Sequence, residues 1–313
     1  MIGSGDVADV AVVIPCCNGE HHIDRALSSV VTQPGLSMEI VVVDDGSTDR
    51  SVDRAKAFSE VQVISTPNRG AAAARNAGLR ATKAPLVKFL DADDELLPDA
   101  LTEQVEAVNQ LGPEQIHVGG WYVLADAGQK RRHGCQRDGG GQVPNLIIQN
   151  ILTSGPLHRR HLLERVNGFD ERFPWNQEWN LHIRLAASGA QFLFHEQAVY
   201  CAHRRSDAGR ITNKKFKTRD FVRKELDMIE WTRQSIGRSE RTDVAFAFRA
   251  MRIAKSAAKL GQLADAHAAL AFARAISPRD YRRHWPSKYT AIHRLFGTRL
   301  GEKALIRYWQ MSS

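Results

Sequence analysis

Four short, almost wholly apolar runs, each followed by a stretch with helical spacing, constrain the fold of this chain more than any other feature. The runs are Val10 to Ile14, Glu39 to Val43, Val61 to Ile64 and Leu86 to Leu90. A strand with one wet face alternates polar and apolar residues, whereas a continuous apolar run fits a strand covered on both faces. Between the runs, Ile23, Leu27, Val30 and Val31 recur at helical intervals. Val52, Ala55 and Phe58 mark a second helix, and Ala71 to Ala81 an alanine-rich third. Strands alternating with helices predict an α/β fold with a parallel sheet, and such sheets hold ligands at the carboxyl ends of their strands. Pro15 to Asn18, Asp44 to Ser47 and Asp91 to Asp94 lie at those ends, and Pro15 is expected to stop the first strand.

The fourth run ends in Asp91-Ala92-Asp93-Asp94-Glu95, with Pro98 expected to open a helix directly afterwards. Carboxylates crowded at the tip of a buried strand repel one another, so a cation is expected among them. A hard divalent ion, Mg²⁺ or Mn²⁺, that also grips a diphosphate suits oxygen ligands of this kind. A helix N-terminus decorated with acids is the alternative, because the helix dipole favours negative charge without any metal.

Later segments are less regular. Trp121 to Leu124 predicts a strand, Asp126 to Gly128 a turn, and His133 to Asn145 a flexible loop. Leu157 opens a short strand, Trp179 to Ala187 a helix, and Phe192 to Phe194 and Ala198 to Tyr200 two separate short strands. His203 to Lys217 predicts a mobile loop at a domain boundary. Ala245 to Leu260 and Leu263 to Ile276 predict an αα-hairpin. The net charge of +8 is uneven: from Lys214 onward there are 22 Lys+Arg against 9 Asp+Glu, and before it 21 against 26. The basic region suits a phosphate-rich acceptor, an anionic membrane surface or nucleic acid, or consists of solvated arginine-rich faces. It carries no interleaved aromatics of the kind that bind single strands, so no nucleic acid is expected. Four cysteines, two adjacent, form neither a disulfide framework nor a zinc spacing, and Cys16 and Cys17 are expected in the core. With no apolar stretch near membrane length, the expectation is a cytoplasmic protein, with contact at the inner face of the membrane open.

Several motifs line up in order. They are Val13-Ile14-Pro15-Cys16-Cys17-Asn18, Val42-Val43-Asp44-Asp45-Gly46-Ser47, Asn68-Arg69-Gly70 with Ala74-Arg75-Asn76-Ala77-Gly78, Phe89-Leu90-Asp91-Ala92-Asp93-Asp94, Gly168-Phe169-Asp170-Glu171, and Gln177-Glu178-Trp179. Over roughly Val10 to His203 the chain resembles the family 2 glycosyltransferases. The resemblance implies a Rossmann-like GT-A fold with a mixed, mainly parallel sheet over residues 1–213 and a basic helical extension over 214–313. It implies inverting transfer of a sugar from a nucleotide-diphosphate donor, usually uridine-linked, to a hydroxyl acceptor that is a saccharide, lipid-linked or a small molecule.

By that similarity Asp45 accepts a hydrogen bond from the base, with the main chain of Pro15 and Cys17 beside it. Asp91 and Ala92 face the ribose side, Asp93 ligates Mn²⁺ or Mg²⁺, and Glu178 is the catalytic carboxylate. Arg75 and His203 are further candidates for the donor or its metal, and Arg75 pairing with a carboxylate is the alternative. His182, four residues after Glu178, is expected to pack. Two positions depart from the family. Cys17 stands where an aromatic residue is common, and Gln177-Glu178 replaces the usual Glu-Asp. A sugar-nucleotide nucleotidyltransferase and an inert binding module are the competing readings, and a homodimer is open.

Overall fold

The computed structural model describes residues 7–125, 130–133, 142–204, 220–282 and 285–311. The chain divides into two compact units, one of Met1–Gly139 with Ile151–Asp207 and one of Gly140–Asn150 with Ala208–Ser313.

In the first unit, β1 (Val10–Cys16), β2 (Met38–Asp45), β3 (Val61–Thr66) and β4 (Leu86–Phe89) alternate with α1 (Ile23–Val31), α2 (Ser51–Lys56) and α3 (Ala71–Ala81). These four strands are parallel, in the order β3-β2-β1-β4. Val10 to Ile14 are wholly buried, as an apolar run with helices on both sides requires. Contrary to expectation, Pro15 does not stop β1. The strand pairs with β2 as far as Cys16↔Asp44 but with β4 only as far as Val13↔Phe89. Val13 O accepts from Leu90 N on the β4 side, so Pro15, two residues on, turns its missing N–H toward a neighbour that has already ended.

The sheet continues through β8 (Pro156–Arg159), β6 (Gln115–Ala125), β9 (Gln191–Arg204) and β5 (Asp94–Leu96), with β7 (Lys130–His133) paired to β6. Only β6 and β9 run parallel in this half, so the sheet is mixed and its parallel part lies mainly in β1 to β4. Three local expectations are corrected. The acidic run opens onto β5, not a helix, and α4 (Ala100–Asn109) follows after Asp99. The segment from Gln191 forms one long strand, held between β6 and β5. The expected loop from His133 contains α5 (Gln142–Ile148), and the turn at Asp126 to Gly128 lies outside the described residues. The unit is completed by α6 (Arg160–Arg165) and α7 (Gln177–Ala187).

Beneath the acidic run lies a polar pocket of core. Lys88 is completely buried, and its Nζ donates to Gln104 Oε1 at 2.7 Å and Gly155 O at 3.4 Å. Burial lowers its pKa to about 7, opposed by the nearby charge of Asp94. His158 stacks on His182 with centroids 5.6 Å apart, and both are about 1 % exposed. Burial pushes His117 and His158 down to about 3, and holds His182 well below the ordinary histidine value.

The second unit is helical throughout its described residues: α5, α8 (Phe221–Ile236), α9 (Glu240–Lys259), α10 (Leu263–Ile276) and α11 (Ser287–Met311), which is broken at Gly297. The αα-hairpin forms as α9 and α10. Leu146 and Ile147 of α5 are buried. The terminal carbonyls of α5 accept from α9, Ile147 O from Arg249 at 3.3 Å and Ile148 O from Arg252 at 2.9 Å. A helix leaves its last carbonyls unpaired, and arginine supplies the donors. Residues 142–148 therefore belong with the C-terminal helices and not with the sheet, whereas the expected boundary at 213/214 lies outside the described residues. No helix among the described residues is long and apolar enough to cross a membrane.

Two outcomes follow from this packing. A Cβ on Gly78 of α3 would stand 2.3 Å from Val13 Cγ1, so Gly78→Val is expected to cost about 2–3 kcal/mol or more in urea unfolding. The three buried histidines stay neutral in the fold but take protons in the unfolded chain below about pH 6.5. Folded pKa values below the unfolded ones mean stability is full above that pH and falls as pH drops, by up to about 1.4 kcal/mol per pH unit for each histidine. Urea midpoints should decline steeply between about pH 6.5 and 4, and His158→Phe should make that decline shallower.

Candidate active site

The carboxyl ends of β1, β2 and β4 carry the residues singled out from sequence. At the end of β2, Asp45 is buried and its two oxygens accept from the main-chain N–H groups of Arg69, at 2.7 Å, and Gly70, at 2.8 Å. The carboxylate thus fixes the turn that opens α3 while keeping lone pairs in reserve. Asp44 accepts from the Ser47 N–H at 3.1 Å and steadies the adjoining loop. Past β1, Asn18 takes a left-handed conformation (φ 54°), donates its N–H to Ser47 Oγ and accepts from the Thr48 N–H, so the ends of β1 and β2 are stitched together.

Pro15 sits half-buried in β1. Cys17 is exposed, not in the core, and its Sγ lies 3.4 Å from Asn68 Nδ2. Burial, followed by Asp45 and Asp44, raises the Cys17 thiol, while burial takes Cys16 up to about 11. Both thiols therefore stay protonated at neutral pH and neither is an activated nucleophile.

The acidic run is divided among protein partners. Asp91 Oδ1 accepts from Arg75 Nη2 at 2.6 Å. Arg75, only 7 % exposed, reaches through Nη1 to Gln177 Oε1 at 2.7 Å, and its guanidinium lies 5.4 Å from the Phe169 ring centroid. Gln177 in turn donates to Phe173 O at 3.1 Å. One side chain on α3 thereby joins the acidic run after β4 to the first turn of α7, where Glu178 stands next in sequence. Glu178 thus lies in the first turn of α7, at the positive end of the helix dipole.

Asp94 is buried and accepts from Ser154 Oγ at 2.8 Å, while the same oxygen accepts from the Asp91 N–H at 3.3 Å. Ala92 and Asp93 are half-buried, and the main-chain carbonyl of Asp93 accepts from Arg25 Nη2 at 2.8 Å. Arg25 Nε also lies 3.6 Å from Glu95. Repulsion among the acids is thus met by Arg75 and Arg25, so crowding alone does not demand a metal.

His203 on β9 lies against Glu95 of β5, Nε2 to Oε1 at 3.2 Å, beside Cys201. One ligand atom from each of Glu95, Cys201 and His203 falls within 4.8 Å of the other two. The buried His203 Nε2 makes no aligned hydrogen bond. This orphaned donor atom, with a carboxylate and a thiol beside it, fits a divalent cation of borderline softness. Among the sequence candidates, Arg75 and Asp91 are joined directly. Asp45 and Cys17 contact the segment leading into α3, and His203 joins Glu95.

Sequence reasoning missed Ser154, Arg25 and Cys201. The i, i+2 spacing of Cys201 and His203, which places both on one strand face, was the available signal for the last.

Residues 11–166 match the family described as Glycosyl transferase family 2. The chain belongs to that family. Two curated relatives from Rhizobium meliloti are similar to it. The succinoglycan biosynthesis protein ExoO is 30% identical over 203 residues, covering 63% of this chain and 58% of the relative. ExoU is 30% identical over 222 residues, covering 62% and 61%. The match to an uncharacterized glycosyltransferase of Rickettsia bellii, 27% identical over 186 residues, spans 27% of that relative, so the chain covers less than two thirds of each of these three. The S. aureus TarS 1-349 structure in complex with UDP-GlcNAc superposes with a TM-score of 0.71 at 18% identity, covering 97% of this chain and 91% of that one. The mannosyltransferase PcManGT of Pyrobaculum calidifontis, in complex with GDP-Man and Mn²⁺, gives 0.58 at 17% identity, covering 98% and 88%. At these identities the likeness establishes the GT-A fold.

The Arg75 bridge yields a stability outcome independent of activity. Arg75→Met removes two donors from buried or half-buried acceptors and is expected to cost about 2–3 kcal/mol in urea unfolding. Arg75→Lys should restore only part of it, because a single ammonium does not reproduce the two-pronged fork.

Proposed function

We propose that this chain is an inverting glycosyltransferase that moves a sugar from a nucleotide-diphosphate donor, uridine-linked, to an acceptor hydroxyl. The observation that carries the proposal is the Asp91–Arg75–Gln177 bridge. It ties the acids at the donor-binding strand ends to the helix turn bearing Glu178. Asp45 would take the base, with Pro15 and Cys17 alongside. Asp91 and Ala92 would lie along the ribose. The bound UDP-GlcNAc of the TarS neighbour supports the uridine reading.

In the reaction the acceptor oxygen forms a bond to the anomeric carbon as the bond from that carbon to the diphosphate oxygen breaks. The bonding pair leaves with the nucleoside diphosphate. Glu178 takes the acceptor proton, work worth about 10²–10⁴-fold in rate. Asp93 would hold a divalent ion, with His203 and its Glu95 and Cys201 neighbours as further donors. Such an ion, when bound, supplies positive charge to the departing diphosphate. The Mn²⁺ in the PcManGT complex supports that reading. Arg75 keeps Asp91 in place and fixes the start of α7. The acceptor belongs to polysaccharide, glycolipid or natural-product assembly, and the two succinoglycan relatives favour the first.

A panel of nucleotide sugars, with and without Mn²⁺, tests the proposal by release of nucleoside diphosphate. Glu178→Gln is expected to lower transfer about 10²–10⁴-fold while donor-induced thermal stabilisation persists. Pyrophosphate as the product, or full activity in the variant, would overturn it.

A further inference from the structure

The last helix of the second unit carries a face that neither the sheet chemistry nor the helical core uses. Residues 279–313 hold eight Lys+Arg but only Asp280 and Glu302 as acids. Glu302 is buried and pairs with Arg274 at 2.9 Å. Together with buried Leu305, Ile306 and Trp309, that pair fixes which side of α11 turns inward. Gly301 reinforces the placement, since a Cβ there would stand 2.7 Å from His293 Cβ across the break at Gly297.

The opposite side is thereby forced outward. Arg299, Leu300, Lys303, Arg307 and Met311 are all exposed. At about 100° per residue they fall within an arc of about 120°. Leu300 is 53% and Met311 79% exposed; before the break, Arg294 is exposed and Leu295 is 76% exposed. The one acid on α11, Glu302, is turned inward and paired with Arg274, so it does not neutralise this face.

We propose that this face docks the protein on an anionic lipid surface, with the arginines and lysine at the headgroups and Leu300 and Met311 entering the acyl boundary. Cationic side chains interleaved with exposed apolar ones are what an interfacial helix requires, because one surface satisfies both kinds of group. A second copy of the chain fits poorly. A twofold contact would set this patch against itself and bring like charges together. A polynucleotide would satisfy the cations but leave the exposed leucines and methionine without partners, as the described side chains of this face include no aromatic platform. The inference does not depend on the sugar-transfer proposal.

Sedimentation of the full chain with two vesicle types tests it, one of phosphatidylcholine alone and one of phosphatidylcholine and phosphatidylglycerol, two to one. Binding to the anionic vesicles and not to the neutral ones is expected, weakening as salt rises. The combined variant Arg299→Glu, Lys303→Glu, Arg307→Glu should lose about 100-fold or more in apparent affinity. Leu300→Ser with Met311→Ser leaves every charge in place and should lose several-fold, which keeps the test decisive where charge reversal disturbs folding. Donor hydrolysis in solution should be unchanged in both. Three results would overturn the proposal: no preference for anionic vesicles, binding unaltered in both variants, or self-association or polynucleotide capture through this face without vesicle binding.

Discussion

A single buried guanidinium holds the business edge of the sheet together. Arg75 meets Asp91 with one nitrogen and Gln177 with another, and rests beside the face of Phe169. Its planar fork suits two acceptors on different elements better than a flexible ammonium would. Through it the end of β4 and the start of α7, far apart in sequence, share one geometry. The α3 helix that carries it is seated so closely on β1 that residue 78 has no room for a side chain. Backbone packing thus aims the arginine.

The neutrality of residue 177 matters to that arrangement. A glutamate there would set a second carboxylate on the same guanidinium and divide its charge. With glutamine, Asp91 faces a whole positive charge, and Gln177 serves as a hinge between Arg75 and the Phe173 carbonyl. Glu178 is then the acid that the first turn of α7 supplies beyond the bridge.

The parallel half of the sheet was legible because its signal is local. Val10 to Ile14 are apolar throughout and Leu86 to Phe89 are apolar but for the buried Lys88, and burial on both faces explains such runs. The second half was less legible, since β5 is three residues long and exists through pairing with β9, a partner over a hundred residues away. Pro15 misled for a similar reason: its place in a strand depends on where the neighbouring strand ends. Within the site, the carboxylates stood out as motifs, whereas Ser154, Arg25 and Lys88 did not. An isolated serine or lysine carries no pattern, and only folding puts Ser154 between Asp91 and Asp94 or Lys88 beneath them.

The placement of α5 has a consequence for how the molecule is made. Its helix leaves the ribosome well before α9, whose arginines close its carbonyl end, has been synthesised. Until then Leu146 and Ile147 have no apolar cover from their own unit. The second unit is complete only when the helices that follow β9 have emerged. Cutting the gene after the last strand would therefore not release an independent sheet unit, but one trailing an orphaned, sticky segment in the middle of its sequence.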